Sequence, residues 1–267
     1  MSERVIPDPH TPGAWVVRIG GADQSWVDPS DPTRLEFDYM QRLADQVDAH
    51  AEPGERLRVV HVGGAAMTLA RYVAHTRPTS PQIVLEPDAE LTAEVREKIP
   101  LPRNSGIKVR PVDGASGIAA MREDYADVVV VDAFAGARVP GGLVSVDFFA
   151  DVRRVLHSDG LLLLNVTDTH PFSWTRRVLA GMAGYFGEVM IGAESATLKG
   201  RRFGNVVIAA SQVALPVDQL QRISAGAVFP YRLVHGEHLE RMVGGAQPFH
   251  GAGEPSPGPP SGRHFFE

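Results

Sequence analysis

Residues 57–86 constrain this chain more than any other stretch. An apolar, β-prone run over 57–62 predicts a buried strand, Gly63-Gly64-Ala65 a tight turn, and 66–75 a helix. A second strand is expected over 82–85, ending on Glu86. Strand, glycine turn, helix and strand with a terminal carboxylate are the nucleotide-binding half of a doubly wound sheet. The glycines let backbone approach a ligand closely, and the first amides of the helix face whatever lies at the turn. Glu86 follows Gly63 by 23 residues, a spacing that suits an acid reaching a ribose hydroxyl.

The rest of the chain extends that unit. Upstream, 15–19 and 25–27 flank Gly20-Gly21 as a β-hairpin, and a helix is expected over 34–50 with Leu35, Tyr39, Leu43 and Val47 on one face. Downstream, helices over 88–98, 116–122, 147–156 and 171–185 alternate with strands over 107–111, 127–132, 161–164, 188–191 and 205–209. Four consecutive valines, Val128 to Val131, lack polar alternation, as in the middle of a parallel sheet covered on both faces. The last two strands have no helix between them, which predicts an antiparallel edge. The expectation is a Rossmann-like, seven-stranded, mostly parallel sheet of the class I methyltransferase type, with a short N-terminal hairpin. Residues 1–13 are read as disordered, 14–52 as hairpin and entry helix, 53–245 as the Rossmann-like domain, and the Gly/Pro-rich 246–267 as a disordered tail.

Composition removes several functions. With no cysteine there is no disulfide, thiolate nucleophile or Cys-ligated metal, and the histidines show no ligand spacing, so no metal site is expected. A net charge of −6 without a basic tract gives nucleic-acid binding little support. No apolar run approaches the ~20 residues of a membrane span, and 1–13 lacks the apolar core of a signal peptide, so a cytoplasmic protein is expected. His61, inside a strand, is read as a hydrogen-bonded core residue. The basic cluster Lys199, Arg201 and Arg202 is read as solvated loop charge.

Ligands of an open α/β sheet sit beyond the carboxyl ends of the strands, where strand order reverses. Those ends carry Gly63-Gly64, Glu86, Asp113-Gly114, Asp132 and Asp168. Glu86 can accept hydroxyl hydrogen bonds from a ribose. Asp113 can accept from an adenine amino group, with Gly114 leaving room for the ring. Asp132, after the most buried strand, is placed to act as base toward an amine that must lose a proton before it attacks. An acid leaving a strand also caps the next helix, which is the alternative for Asp113 and Asp168.

Gln24-Ser25-Trp26-Val27-Asp28 followed by Leu35-Glu36-Phe37-Asp38-Tyr39-Met40 resembles the entry segment of spermidine synthases. Val62-Gly63-Gly64, Glu86, Asp113-Gly114, Asp132 and the 200–205 segment follow in that family's order, over about 14–245 of the chain. The resemblance implies decarboxylated S-adenosylmethionine as donor, an amine as acceptor, Gln24 near the donor, Glu86 on its ribose, Asp113 on its adenine and Asp132 as base. Tyr39 and Asp168 are the candidates for the acceptor. A homodimer, paired through the hairpin, is the implied assembly. The chain departs from the family where an acid usually follows the glycines (here Ala65-Ala66), where a second aspartate usually follows the base (here Ala133-Phe134-Ala135), and at Met40, usually Gln or His. A methyltransferase using intact S-adenosylmethionine, and a non-catalytic nucleoside-binding protein, are the alternatives.

Overall fold

The structure, a computed structural model, describes residues 3–228 and 230–259. Strands β1 (Val5–Pro7), β2 (Trp15–Ile19) and β3 (Ala22–Val27) form a small antiparallel sheet, and α1 (Asp38–His50) follows. The alternating region runs β4 (Val59–Val62), α2 (Thr68–Thr76), β5 (Gln82–Leu85), α3 (Ala89–Lys98), β6 (Ile107–Arg110), α4 (Gly114–Ala119) and β7 (Ala126–Val131). It continues through α5 (Val146–Val155), β8 (Leu156–Asp168), α6 (Ser173–Met182), β9 (Glu188–Glu194), α7 (Ser195–Leu198) and β10 (Gly204–Ser211). Helix α8 (Val217–Ala225), β11 (Tyr231–His235) and α9 (Gly236–Val243) complete it.

The large sheet has the order β11-β9-β10-β8-β7-β4-β5-β6. Strands β6, β5, β4, β7 and β8 are parallel to their neighbours, and the pairings from β8 to β10, β9 and β11 are antiparallel. The parallel half and the antiparallel turn-back are as expected, but among the described residues the sheet has eight strands rather than seven. The extra strand, β11, covers the edge of β9 from Tyr231↔Glu194 to His235↔Met190. An unpaired edge leaves a row of amides and carbonyls open, and five residues suffice to close it, too few for a local pattern.

The valine run reads as it does because both faces are buried. Val129 and Val131 pack with Leu162, Leu164 and the α5 side chains Phe149 and Val152. Val128 and Val130 pack on the opposite face with Leu43 and Val47 of α1 and Leu69 and Val73 of α2. Each such side chain contributes roughly 1.5–3 kcal/mol on burial.

The described parts of both terminal segments, expected to be disordered, make long-range contacts. Val5 is fully buried against Val95 of α3 and Ile99 just after it, and the backbone N–H groups of Arg4 and Val5 donate to Glu94 Oε1 at 3.0 and 2.9 Å. The hairpin is therefore a three-stranded sheet. At the other end, the buried Phe249 lies 5.9 Å from the Trp174 ring. The equally buried Ser256 accepts from Val139 N–H at 2.9 Å and returns its own N–H to Val139 O at 3.0 Å. These contacts join residues more than 60 positions apart, so no local composition reveals them. The part of the tail over 260–267 lies outside the described residues.

Candidate active site at the strand ends

The order of the sheet reverses between β4 and β7, and the crevice opens there. Gly63 has φ +90° and an added Cβ would stand 2.3 Å from the carbonyl oxygen of Asp132, so only glycine lets the two strand ends meet. At Gly64 a Cβ would press on Val84 Cγ1 at 2.8 Å and Glu86 Cβ at 3.1 Å. The turn continues through left-handed Ala65 (φ 37°) and Met67 (φ 61°), so α2 begins at Thr68, two residues later than its composition suggests.

This turn directs its amides inward, onto the protein's own acid. Gly64 and Ala65 N–H donate to Glu86 Oε2 at 2.9 and 3.3 Å, and Asp88 N–H donates to Glu86 Oε1 at 2.9 Å. A concave row of amides is the usual seat of a phosphate. Here a carboxylate fills it, which removes the anion site that a dinucleotide pyrophosphate needs and holds Glu86 at the rim of the cavity with lone pairs to spare.

The cavity beyond encloses about 510 Å³, within the size range of small-ligand sites. It brings together Gln24, Tyr39, Gly63, Gly64, Glu86, Asp113, Gly114 and Asp132. Asp113 both lines it and caps α4, accepting from Ser116 N–H at 2.9 Å; that bond holds its carboxyl below the usual range. Gly114 serves packing: an added Cβ would meet Val62 Cγ1 at 2.1 Å and Leu143 Cδ2 at 3.0 Å, both protein atoms, so the room it leaves is taken by Val62.

Asp132 is different in kind. Desolvation by the surrounding protein pushes its carboxyl up to about 6, against a single stabilising bond from Asn165 Nδ2 at 2.9 Å. Tyr39, stacked on Phe37 at 5.9 Å, has its hydroxyl pushed well up by burial and by the neighbouring Asp132 charge, so it remains a proton donor.

Asp168 does not join the lining. Its Oδ2 accepts from Thr175 N–H at 3.0 Å and Thr175 Oγ1 at 2.7 Å, and its Oδ1 from Thr169 N–H at 2.8 Å, so it caps the start of α6. The residue of β8 that does reach the cavity is Asn165. The pairing Val131↔Leu164 sets the residue after Leu164 beside Asp132, and a polar residue ending an apolar run was the available signal. Asn205 of β10 and Phe134 also line the cavity. His61 is a core residue, Nε2 lying 2.8 Å from Gln82 Oε1, and burial pushes its ring down to about 4, so it is neutral at pH 7. Arg202 pairs with Glu194 at 2.8 Å, and the 199–202 cluster is outside the cavity wall.

Among the described residues no helix is long and apolar enough to cross a membrane, and no group of three or more His, Asp or Glu is arranged to hold a metal ion. No protein-family model matches the chain. It is 24% identical over 245 residues to a polyamine aminopropyltransferase of Neisseria meningitidis, covering 91% of this chain and 85% of that enzyme. The match to the Chromobacterium violaceum polyamine aminopropyltransferase is 25% identical over 143 residues and spans about half (53%) of each chain. A solved structure of a probable spermidine synthase from Corynebacterium glutamicum aligns with a TM-score of 0.85 and 32% identity over 92% of both chains. A spermidine synthase in complex with the transition-state analogue AdoDATO aligns at 0.57, with 16% identity over 84% of this chain and 79% of that one. Human methyltransferase-like protein 13 in complex with SAH aligns at 0.55, with 16% identity over 78% and 92%. The last two likenesses concern the fold.

Proposed function

Because the chain belongs to the family of spermidine synthases and polyamine aminopropyltransferases, as a divergent member, we propose that it moves an aminopropyl group from decarboxylated S-adenosylmethionine to an amine. Glu86 accepts the ribose hydroxyls, Asp113 the adenine amino group, and Gln24 lies along the donor. Tyr39 donates from the acceptor side. A nucleoside without phosphates suits a turn whose amides are already engaged by Glu86.

The observation that carries this reading is Asp132. It stands at the reversal of strand order, faces the cavity, and is desolvated enough to hold a proton up to about pH 6. A base of that strength is ionised at pH 7 and still takes a proton from an ammonium beside it; positioned bases contribute ~10²–10⁴ in rate. The decarboxylated form of the donor is favoured by the wall itself, which offers no lysine or arginine among its described residues to meet a methionine carboxylate.

Methyl transfer from intact S-adenosylmethionine is the second reading, motivated by Ala65 and Ala66 where the family has an acid. Calorimetric titration with both nucleosides separates the two. The decarboxylated form is expected to bind more tightly, and clearly tighter binding of the intact form sinks aminopropyl transfer. A dimer joined through the β1-β2-β3 sheet is part of the same proposal, read out by sedimentation with and without residues 1–27.

A further inference from the structure

The two ends of the cavity draw on one pool of negative charge, and its size limits what can bind. The described lining residues include five carboxylates, Asp23, Glu86, Asp88, Asp113 and Asp132, with no lysine or arginine among them. Two of the five are matched from outside the wall: Arg18 Nε lies 2.6 Å from Asp23 Oδ1, and Arg4 Nη1 lies 2.6 Å from Asp88 Oδ2. Three charges are left. A decarboxylated sulfonium nucleoside brings two positive charges, on its sulfur and its ammonium, so one negative charge is left for the acceptor.

That charge is best assigned to Asp132. Glu86 and Asp113 already accept backbone N–H groups, whereas Asp132 has only the Asn165 amide. The wall contributed around it by the start of α1 and the ends of β7, β8 and β10 is aromatic, aliphatic or neutral: Phe37, Tyr39, Met40, Phe134, Asn165 and Asn205. A second ammonium placed there would give up its hydration with no carboxylate in return.

Resting on the aminopropyl-transfer reading, we infer that the acceptor is a monoamine, one primary amine on an uncharged and mainly apolar body, rather than a diamine. The acceptor ammonium gives one proton to Asp132, and the freed nitrogen lone pair bonds to the aminopropyl carbon next to sulfur. The carbon–sulfur bond breaks with its electron pair going to sulfur. A neutral thioether nucleoside and a secondary ammonium leave, and Asp132 returns its proton to solvent.

The test measures kcat/KM for n-hexylamine, phenethylamine and putrescine with decarboxylated S-adenosylmethionine, following the thioether nucleoside. The better monoamine is expected to exceed putrescine by about tenfold or more, the cost of partly desolvating one ammonium that finds no carboxylate. Substitution A135D adds a carboxylate at an exposed position of the same wall and is expected to narrow that ratio by a similar factor. Putrescine equal to or better than both monoamines overturns the inference and leaves aminopropyl transfer standing. An unchanged ratio in A135D overturns the charge argument on which it rests. No thioether nucleoside with any of the three amines overturns the transfer reading itself, and the inference with it.

Discussion

The two halves of the cavity treat their carboxylates in opposite ways. On the β4-β5-β6 side, Glu86 accepts three backbone N–H groups and Asp113 accepts one at a helix start. On the β7-β8-β10 side, Asp132 has one amide partner, and the Oδ1 of that partner, Asn165, is buried without a partner of its own. A carboxylate already engaged by fixed donors is a good place to hang a neutral hydroxyl or amino group, and at Asp113 the donor also holds the carboxyl below its usual range. One desolvated by the surrounding protein and met by a single amide donor, as at Asp132, is held closer to protonation and is ready to exchange a proton. In the proposed reaction the contrast would separate binding from chemistry within a single cavity.

The largest expected effect breaks the comparison on the reactive side. D132N should lower aminopropyl transfer by ~10²–10⁴ while leaving nucleoside affinity within a few-fold. In the native protein, the limb of the pH–rate profile that belongs to this group should rise near pH 6. If the substitution abolishes nucleoside binding as well, the division of labour is wrong.

On the binding side E86Q should do the reverse. Loss of the charge behind the ribose hydrogen bonds, worth ~1.5–3 kcal/mol in charge-assisted bonds, predicts roughly 10–100-fold weaker nucleoside binding by calorimetry, with turnover at saturation nearly kept. An equal loss in kcat would place Glu86 with Asp132 instead.

A stability measurement sharpens the same contrast. The carboxyl of Asp132 is raised from the usual 3.8 to about 6, so its contribution to folding is full below about pH 4, where both folded and unfolded chains hold the proton. That contribution is lost as pH rises through about 6, because the unfolded chain releases the proton more readily. D132N removes the penalty. It should be more stable to unfolding than the native chain at pH 8, by about 2–3 kcal/mol, with the advantage vanishing near pH 4. A gain that is the same at both pH values would speak against desolvation as the cause.

The smallest effect concerns the strap that backs the cavity wall. Ser256 holds Val139 through its hydroxyl, and Pro140, Gly142 and Leu143 just beyond line the cavity. S256A should cost about 1–3 kcal/mol, the loss of a partner for a buried N–H, and lower Tm by a few degrees with Asp132-dependent chemistry unchanged.

Much of this protein is legible in its residues, because some interactions are local. The valine run, the glycine turn and the alternation of apolar runs with amphipathic stretches depend on neighbours within a few positions, and they determine a doubly wound sheet with acids at its strand ends. Glycine at 63 is dictated by a backbone angle and a contact no other residue tolerates. What tertiary structure alone decided lies in contacts across the chain. β1 and β11 exist because α3 and the edge of β9 wait for them. Asp168 became a cap because Thr175 folds back onto it, and Asn165 became the partner of Asp132 through the register of two strands. The proton affinity of Asp132 belongs to this second class. Its carboxylate is the same chemical group as that of Asp113, and only the donors and the desolvation around each, assembled from six strand ends, hold one below the usual range and push the other above it.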